Sequence, residues 1–296
     1  MCLISHIPLQ GRIYLAKNRD RYYITPLKAV RVRHKGVEIL YILDTKSGWI
    51  EGINEHGICL VNSVLPTTRE EEIIKSKESK INSGLLDEHG LGNDGTIILN
   101  ALSQTRLQDA VSVLVRCQCK KTIGLHGHTI VSDGHHTLAI EYTHKSHPRV
   151  HLVKHRFMRA NHSIELATDQ GGYDPSRNLV SYESSHERIR KFKKHMKGIE
   201  SPSEILPRMA LIDMETPCVS LFRIGKRCDE QFKYGFATTS QILLDPSHPR
   251  LSLRIDPHNT VYEGLENRLG SDHHRIAFDI ETIQREPYAG TVLKAD

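Results

Sequence analysis

The chain has 296 residues, 38% hydrophobic and 25% charged, a composition that suits a soluble globular protein with a substantial core. No stretch approaches the ~18 apolar residues of a membrane helix. Met1 leads within a few residues to Cys2, His6 and Pro8, without a basic start or an apolar run, so neither a membrane span nor a secretory leader is expected. The net charge of +5, from 40 Lys+Arg against 35 Asp+Glu, is too mild for a dedicated nucleic-acid binder.

Residues 2–7 (CLISHI) and 12–18 (RIYLAKN) read as strands joined by a turn at Pro8-Leu9-Gln10-Gly11. Such a hairpin pairs positions whose numbers sum to about 19, with Cys2 across from Lys17 and Arg19-Asp20 just beyond. A strand at 37–43 precedes a second hairpin, 48–53 and 58–63, around Asn54-Glu55-His56-Gly57, whose Asn and Gly supply left-handed backbone. Its pairing sets Trp49 near Asn62. Residues 68–90 are charged and read as a solvated helix or mobile segment. Helical spacing covers 94–104 and 107–116, the latter with apolar residues at 107, 110, 111, 114 and 115. Strands follow at 127–132 and 137–143, around Asp133-Gly134-His135-His136, then at 149–153 and 155–161. A basic helix over 183–197 opens with Ser, and Glu187 near its third position suggests a capping box. A second helix over 201–215 opens with Ser-Pro-Ser-Glu. Late strands are expected at 218–224, 234–244, 250–255 and 260–262, and the last thirty residues carry no assignable pattern.

Hairpins interrupted twice by helices argue for an α+β protein with antiparallel sheets. There is no glycine-rich phosphate loop, repeat or low-complexity tract. Nothing between 1 and 265 reads as a linker, so a single domain over 1–296 is expected, with its core over about 2–265. Six cysteines (Cys2, Cys59, Cys117, Cys119, Cys218 and Cys228) are too few for a disulfide framework in this length. Without a leader they suggest free thiols in a reducing, cytoplasmic setting.

Position 2 gives its cysteine a chemical option. Removal of Met1 would leave a thiol and a free α-amino group on one residue. An α-amine has a reference pKa of about 7.7–8.0, so it can act as general base for its own thiol, directly or through a water. A carboxylate one strand away would orient the amine, and the hairpin offers Asp20 for that task. Lys17 and Arg19 stand beside it to hold a thiolate or the carboxylate electrostatically. The bland alternative is that Cys2 sits at a tolerant position and KNRDR is a solvated charged turn.

The opening MCLI…AKNRD resembles cysteine N-terminal-nucleophile (Ntn) hydrolases of the choloylglycine hydrolase and penicillin V acylase group, together with their acyl-coenzyme A:6-aminopenicillanic-acid acyltransferase-like relatives. GINEHGICLVNS (52–63) is similar to the family's turn and the following strand that ends in Asn. GHTIVSD…LAIEYT (127–143), RANH (159–162) and SSHERIRKF (184–192) resemble a strand pair, a strand-end Asn segment and a Ser-Ser-x-x-Arg stretch in the same order. The resemblance implies a four-layer αββα sandwich with two antiparallel sheets. It implies Cys2 as nucleophile with its amine as base, and Asp20 orienting the amine. Asn161 would supply a side-chain oxyanion donor, Asn62 a backbone donor, and Arg188 a charge near the nucleophile. Fixed donors of this kind stabilise an oxyanion by a few kcal/mol each. Where the family often has Arg-Asn-x-Asp, this chain has Lys17-Asn18-Arg19-Asp20, so the aligned cation is Lys17 and Arg19 adjoins the Asp.

The reaction so implied is attack of the thiolate on a linear or non-peptide amide carbonyl, followed by hydrolysis of the acyl-enzyme, or its transfer to an amine. No cofactor is called for. The expected partner is a small-molecule amide or acyl donor, with no membrane or nucleic acid, and a homo-oligomer is left open. A reading of another class, against that expectation, is a non-catalytic binding protein on the same fold that contacts nucleic acid through the basic segment 186–197. The 19 histidines and Cys117-Gln-Cys119 lack the paired spacing of a structural zinc site.

Overall fold

A computed structural model describes residues 2–65, 86–87, 90–119, 125–143, 146–162, 164, 175–225, 235–270 and 274–285. The chain opens with the hairpin β1 (Cys2–Leu9) and β2 (Arg12–Arg21), whose partners are Cys2↔Arg19, Leu3↔Asn18 and Ile4↔Lys17. This register differs by two residues from the one expected. The turn is only Gln10-Gly11, at φ 52° and 73°, a left-handed pair whose twist matches that of a hairpin. Pro8 therefore lies inside the strand opposite Ile13. A shift of two preserves the alternation of faces, so the side chains of Lys17 and Arg19 stay on the same face as Cys2.

Eight strands form one sheet: β3 (Thr25–His34), β4 (Val37–Asp44), β5 (Trp49–Asn54), β6 (Cys59–Val64), β7 (Gly127–Ser132), β8 (Thr137–Thr143), β9 (Ser146–Leu152) and β13 (Thr260–Asn267). Their order is β13-β3-β4-β5-β6-β7-β8-β9. The second sheet adds β10 (Phe157–Arg159), β11 (Ala237–Asp245), β12 (Arg250–Ile255) and β14 (Ala277–Thr282) to the opening hairpin, in the order β10-β1-β2-β11-β12-β14. Pairing is antiparallel except at two edge pairs, β13 with β3 and β14 with β12, which are parallel. The sequence reading omitted β3, whose apolar residues are interleaved with Lys28, Arg31 and Arg33, and β14, which lies in the unassigned tail.

Three apolar clusters define four layers. Ile4, Leu15, Ile242, Leu244, Leu251 and Leu253 from the smaller sheet pack against Leu27, Leu40, Ile42, Ile53, Val61 and Ile130 from the larger. The outer face of the larger sheet carries α1 (Asn93–Leu102) and α2 (Leu107–Cys119), through Ile98, Leu102, Ala110 and Leu114 against Ile39, Tyr41 and Leu60. The outer face of the smaller sheet carries α3 (Pro175–His195) and the short α4 (Ile205–Met209), through Phe192, Leu206 and Met209 against Leu3, Ile7, Tyr14 and Ala16. The fold is an α+β, four-layer αββα sandwich. Each fully buried Leu, Ile or Phe in these layers contributes roughly 1.5–3 kcal/mol.

Two helices differ from expectation. α3 begins at Pro175, so Ser184 and Ser185 lie inside it and Glu187 closes no capping box. The box forms instead at Ser201, which accepts from the Ser203 N–H while Glu204 accepts from the Ser201 N–H. The expected helix over 201–215 is reduced to a 3-10 turn, Pro202–Glu204, and α4. The expected strand at 218–224 is a 3-10 turn at Pro217–Val219 and a single bridge from Ile224 to Ala237. Most of 68–90, most of 163–174 and the final 286–296 lie outside the described residues.

Candidate active site

β2 carries Lys17, Arg19 and Arg21 at alternate positions, so all three share the face that points between the sheets. Cys2, opposite Arg19, shares that face. β5 and β4 of the facing sheet answer with two carboxylates. Glu51 bonds Lys17 Nζ through Oε1 and Arg19 Nη2 through Oε2, and its Oε1 also accepts from the Trp49 indole at 3.1 Å. Asp44 Oδ2 accepts from Arg21 Nε at 2.9 Å and from the Tyr23 hydroxyl at 2.8 Å. Arg21 Nη1 lies 3.7 Å from Cys2 Sγ. Lys17, Arg19, Glu51 and Asp44 are all fully buried, and only Arg21 is partly open.

Burial alone would push the Cys2 thiol up. With Met1 in place, Lys17, the Met1 ammonium and Arg21 outweigh it and bring the thiol down to about 6, with Asp20 opposing them. Burial also drives Lys17 well below the ordinary lysine range, with Arg19 and Arg21 adding repulsion and a thiolate at Cys2 opposing. Asp44 opposes its own burial through Arg21 and Arg19, which hold its carboxyl low. Three side-chain cations, Lys17, Arg19 and Arg21, against two carboxylates, Glu51 and Asp44, leave the side chains of this face net positive, which favours a thiolate at Cys2.

The other face of the same hairpin holds Asp20. Its Oδ1 accepts from Thr238 Oγ1 at 2.8 Å, and its Oδ2 pairs with Arg188 Nη2 at 2.8 Å and lies 3.8 Å from Arg223 Nε. Arg188 is fully buried on the sheet-facing side of α3, with Nε and Nη2 donating to the carbonyls of Ser220 and Leu221. It stands by Asp20, not by the thiol, because Asp20 and Cys2 side chains leave the hairpin on opposite faces. Asp20 lies one residue beyond the cross-strand partner of Cys2, at the strand end where the Cys2 nitrogen lies.

Asn62, on β6, accepts from Lys17 Nζ at 3.3 Å and from the Trp49 indole. Trp49 and Asn62 are thus joined as the hairpin reading expected. Gly48 makes this possible: it has φ 66°, and a Cβ there would lie 2.1 Å from the Gly92 nitrogen, so the turn feeding Trp49 packs tightly on the start of α1. The β5–β6 ladder ends at the Gly52–Leu60 pair, and Asn62 lies past that point. Asn161 follows β10, which pairs with β1. Its side-chain N–H₂ donates to the Val64 carbonyl at 2.6 Å, and its backbone N–H donates to Ser185 Oγ at 2.7 Å. Ser185 Oγ also meets His162 Nδ1 at 2.7 Å, and the His162 carbonyl lies 2.9 Å from His128 Nε2. Burial holds His128 at about 4, against Glu141, and His162 at about 3, with His186 and His128 adding. Both rings are therefore neutral at pH 7, and Ser185 and His162 brace the Asn161 segment without adding charge.

Lys17, Arg19 and Asn62 thus lie on or beside the thiol face, Asp20 and Arg188 form a pair behind it, and Asn161 is joined to Val64 and Ser185. The sequence reading missed Arg21, Glu51, Asp44 and Trp49's polar role. Arg21 was legible as the third member of the alternation in Lys17-Asn18-Arg19-Asp20-Arg21. The carboxylates had no local signal, since they reach the cations from another sheet. Among the described residues no group of three or more His, Cys, Asp or Glu is placed to hold a metal ion. Among the described residues no helix is long and apolar enough to cross a membrane.

No family model matches the chain, and no curated protein matches it by sequence. Similar solved structures include the conjugated bile acid hydrolase of Clostridium perfringens in two variant forms. One has TM-score 0.45 and 13% identity, covering 86% of this chain and 89% of that one. The other has TM-score 0.46 and 12% identity over the same shares. A penicillin V acylase from Agrobacterium tumefaciens aligns at TM-score 0.46 and 12% identity, over 86% of each chain. At this identity and TM-score the likeness assigns no residue a role.

Proposed function

We propose that the protein is an N-terminal cysteine amidohydrolase that cleaves a carbon–nitrogen bond of a small amide through a thioester. The observation that carries this reading is the contact of buried Cys2 Sγ with Arg21 in a setting whose charges favour the thiolate. A thiolate at neutral pH is the form that attacks. It adds to the amide carbonyl carbon, the carbonyl π electrons move to oxygen, and the oxyanion is met by donors from Asn62 and Asn161. Asn62 offers its backbone N–H past the end of the β5–β6 ladder, and Asn161 its side-chain N–H₂. The C–N bond then breaks as the leaving nitrogen takes a proton from the Cys2 α-ammonium. The amine, neutral again, draws a proton from water as the water attacks the thioester, and the thiolate leaves. Removal of Met1 frees the amine for this work, and Asp20, held by Arg188 and Thr238, orients it. The chain acts as one domain, since residues from 2 to 188 converge on the site.

Intact mass and a panel of N-acyl amides test this. The expected result is a mature protein lacking Met1 that releases free acid from at least one amide and loses that activity in Cys2→Ala. Active protein retaining Met1 would overturn the mechanism. A new amide in place of free acid, when an acceptor amine is present, would mean that the enzyme is an acyltransferase.

A further inference from the structure

The thiol face carries more charge than a nucleophile needs. Its ionisable groups are Lys17, Arg19 and Arg21 from β2, Asp44 from β4 and Glu51 from β5. Tyr23 sits beside Asp44, Asn62 and Trp49 are neutral neighbours, and Asp20 acts from the far side of the hairpin. Asp44 is bonded to Arg21 and Tyr23, and lies 3.9 Å from Arg19. Glu51 alone bonds both Lys17 and Arg19, one with each oxygen, and Trp49 fixes the rotation of its carboxylate. A thiolate at Cys2 and the Glu51 carboxylate therefore compete for the same two buried cations.

We propose that Glu51 is a positioning residue that sets the charge balance at Cys2. It holds Lys17 and Arg19 against the thiol and absorbs enough of their charge that the thiol ionises near neutrality instead of deep in acid. The consequence is a better nucleophile. Thiolate reactivity falls with falling thiol pKa, and the best attacking thiol has a pKa near ambient pH. Without Glu51 the protonated-thiol state would carry one more uncompensated buried positive charge, so the first proton would leave at lower pH.

This rests on Cys2 being the nucleophile, but the test reads the thiol and needs no turnover. Iodoacetamide alkylation of Cys2 is followed by peptide mass across pH in folded, full-length protein. Glu51→Gln is expected to lower the midpoint by about one unit or more, in the range of a lost neighbouring charge. It should also slow alkylation at saturating pH by about threefold per unit. Glu51→Asp, which keeps the charge, should return most of the shift. Lys17→Met should raise the midpoint, and the pair Lys17→Met with Glu51→Gln should lie at least one unit below Lys17→Met alone. The pair comparison decides the matter even if Glu51→Gln does not fold. An unchanged or raised midpoint in folded Glu51→Gln, or equal midpoints for Lys17→Met and the pair, would overturn the proposal. Failure of the wild-type protein to cleave any amide would sink the proposed function and leave this result standing.

Discussion

Two cysteines occupy closely similar backbone settings and end up as opposite chemical species. Cys2 begins β1 and Cys59 begins β6, both with side chains directed between the sheets and both essentially inaccessible, at 2% and 0% exposure. The neighbours of Cys59 are apolar, among them Leu40, Ile42 and Ile130 in the shared core. Burial, helped by Asp245 and Asp133, drives its thiol well above the usual range. Cys2 is buried as deeply, yet Lys17, the Met1 ammonium and Arg21 pull its thiol to about 6. Burial therefore does not decide cysteine reactivity here. The sign of the charge on the adjoining strand does, because desolvation amplifies whatever field is present.

The comparison can be broken or sharpened by experiment. The largest effect is expected from exchanging the thiols. Cys2→Ala should abolish amide cleavage, a loss of at least about a thousandfold, while Cys59→Ala leaves turnover intact. Comparable losses from both would mean that the fold, and not the thiolate, carries the activity. Next in size is the pH profile. At pH 7 Cys2 should alkylate rapidly and Cys59 should stay unmodified in folded protein. The Cys2 rate should fall as pH drops through about 6, since protonation removes the attacking form. A common profile for both thiols would contradict the charge argument.

Removal of a cation should then move Cys2 toward Cys59. Lys17→Met is expected to raise the Cys2 midpoint by about one to two units. It should cost about 3 kcal/mol of unfolding free energy as Glu51 loses a partner, measurable by urea titration. Asp20→Asn probes the other face. It should reduce turnover by about 10- to 100-fold, through the unoriented amine, while leaving the alkylation midpoint level or slightly lower. A midpoint that falls by a unit or more would place Asp20 on the thiol side after all. Cys59→Ala should be the mildest change, costing about 1–2 kcal/mol for the small cavity it leaves.

The candidate site was legible in part, and the boundary is physical. Lys17, read as lying across from Cys2, stayed on its face because period 2 survives any even slip of register, whereas Arg21, the third cation of that alternation, was missed. The actual slip of two residues came from reading Pro8 as a turn residue, when the left-handed pair Gln10-Gly11 closes the hairpin alone. Asn54, Glu55, His56 and Gly57 were read correctly as a turn, because Gly57 at φ 80° and the Asn54 side chain, bonded to the N–H groups of His56 and Ile58, are local devices. Arg188 could be placed on a basic helix but not on a face. Its burial follows from Phe192 and Met196, one and two turns further on, which seat that side of α3 on the smaller sheet. Ser184 and Ser185 looked like caps because serine favours helix starts, yet both lie inside the helix with polar partners off it. Ser185 braces Asn161 and His162, and Ser184 accepts from Arg223.

The amino-acid sequence by itself determined the position of a cysteine beside Met1, the run of cations two residues apart, and an apolar periodicity that allows only α+β layers. These are properties of neighbours along the chain, where spacing fixes the face. Only the tertiary structure decided that Glu51 and Asp44 meet those cations, that Asp20 and Arg188 stand behind the hairpin, and that Cys2 and Cys59 differ in charge state. Each of those outcomes depends on which strands of two separate sheets come face to face. That is settled by the burial of the whole apolar core and not by any local spacing.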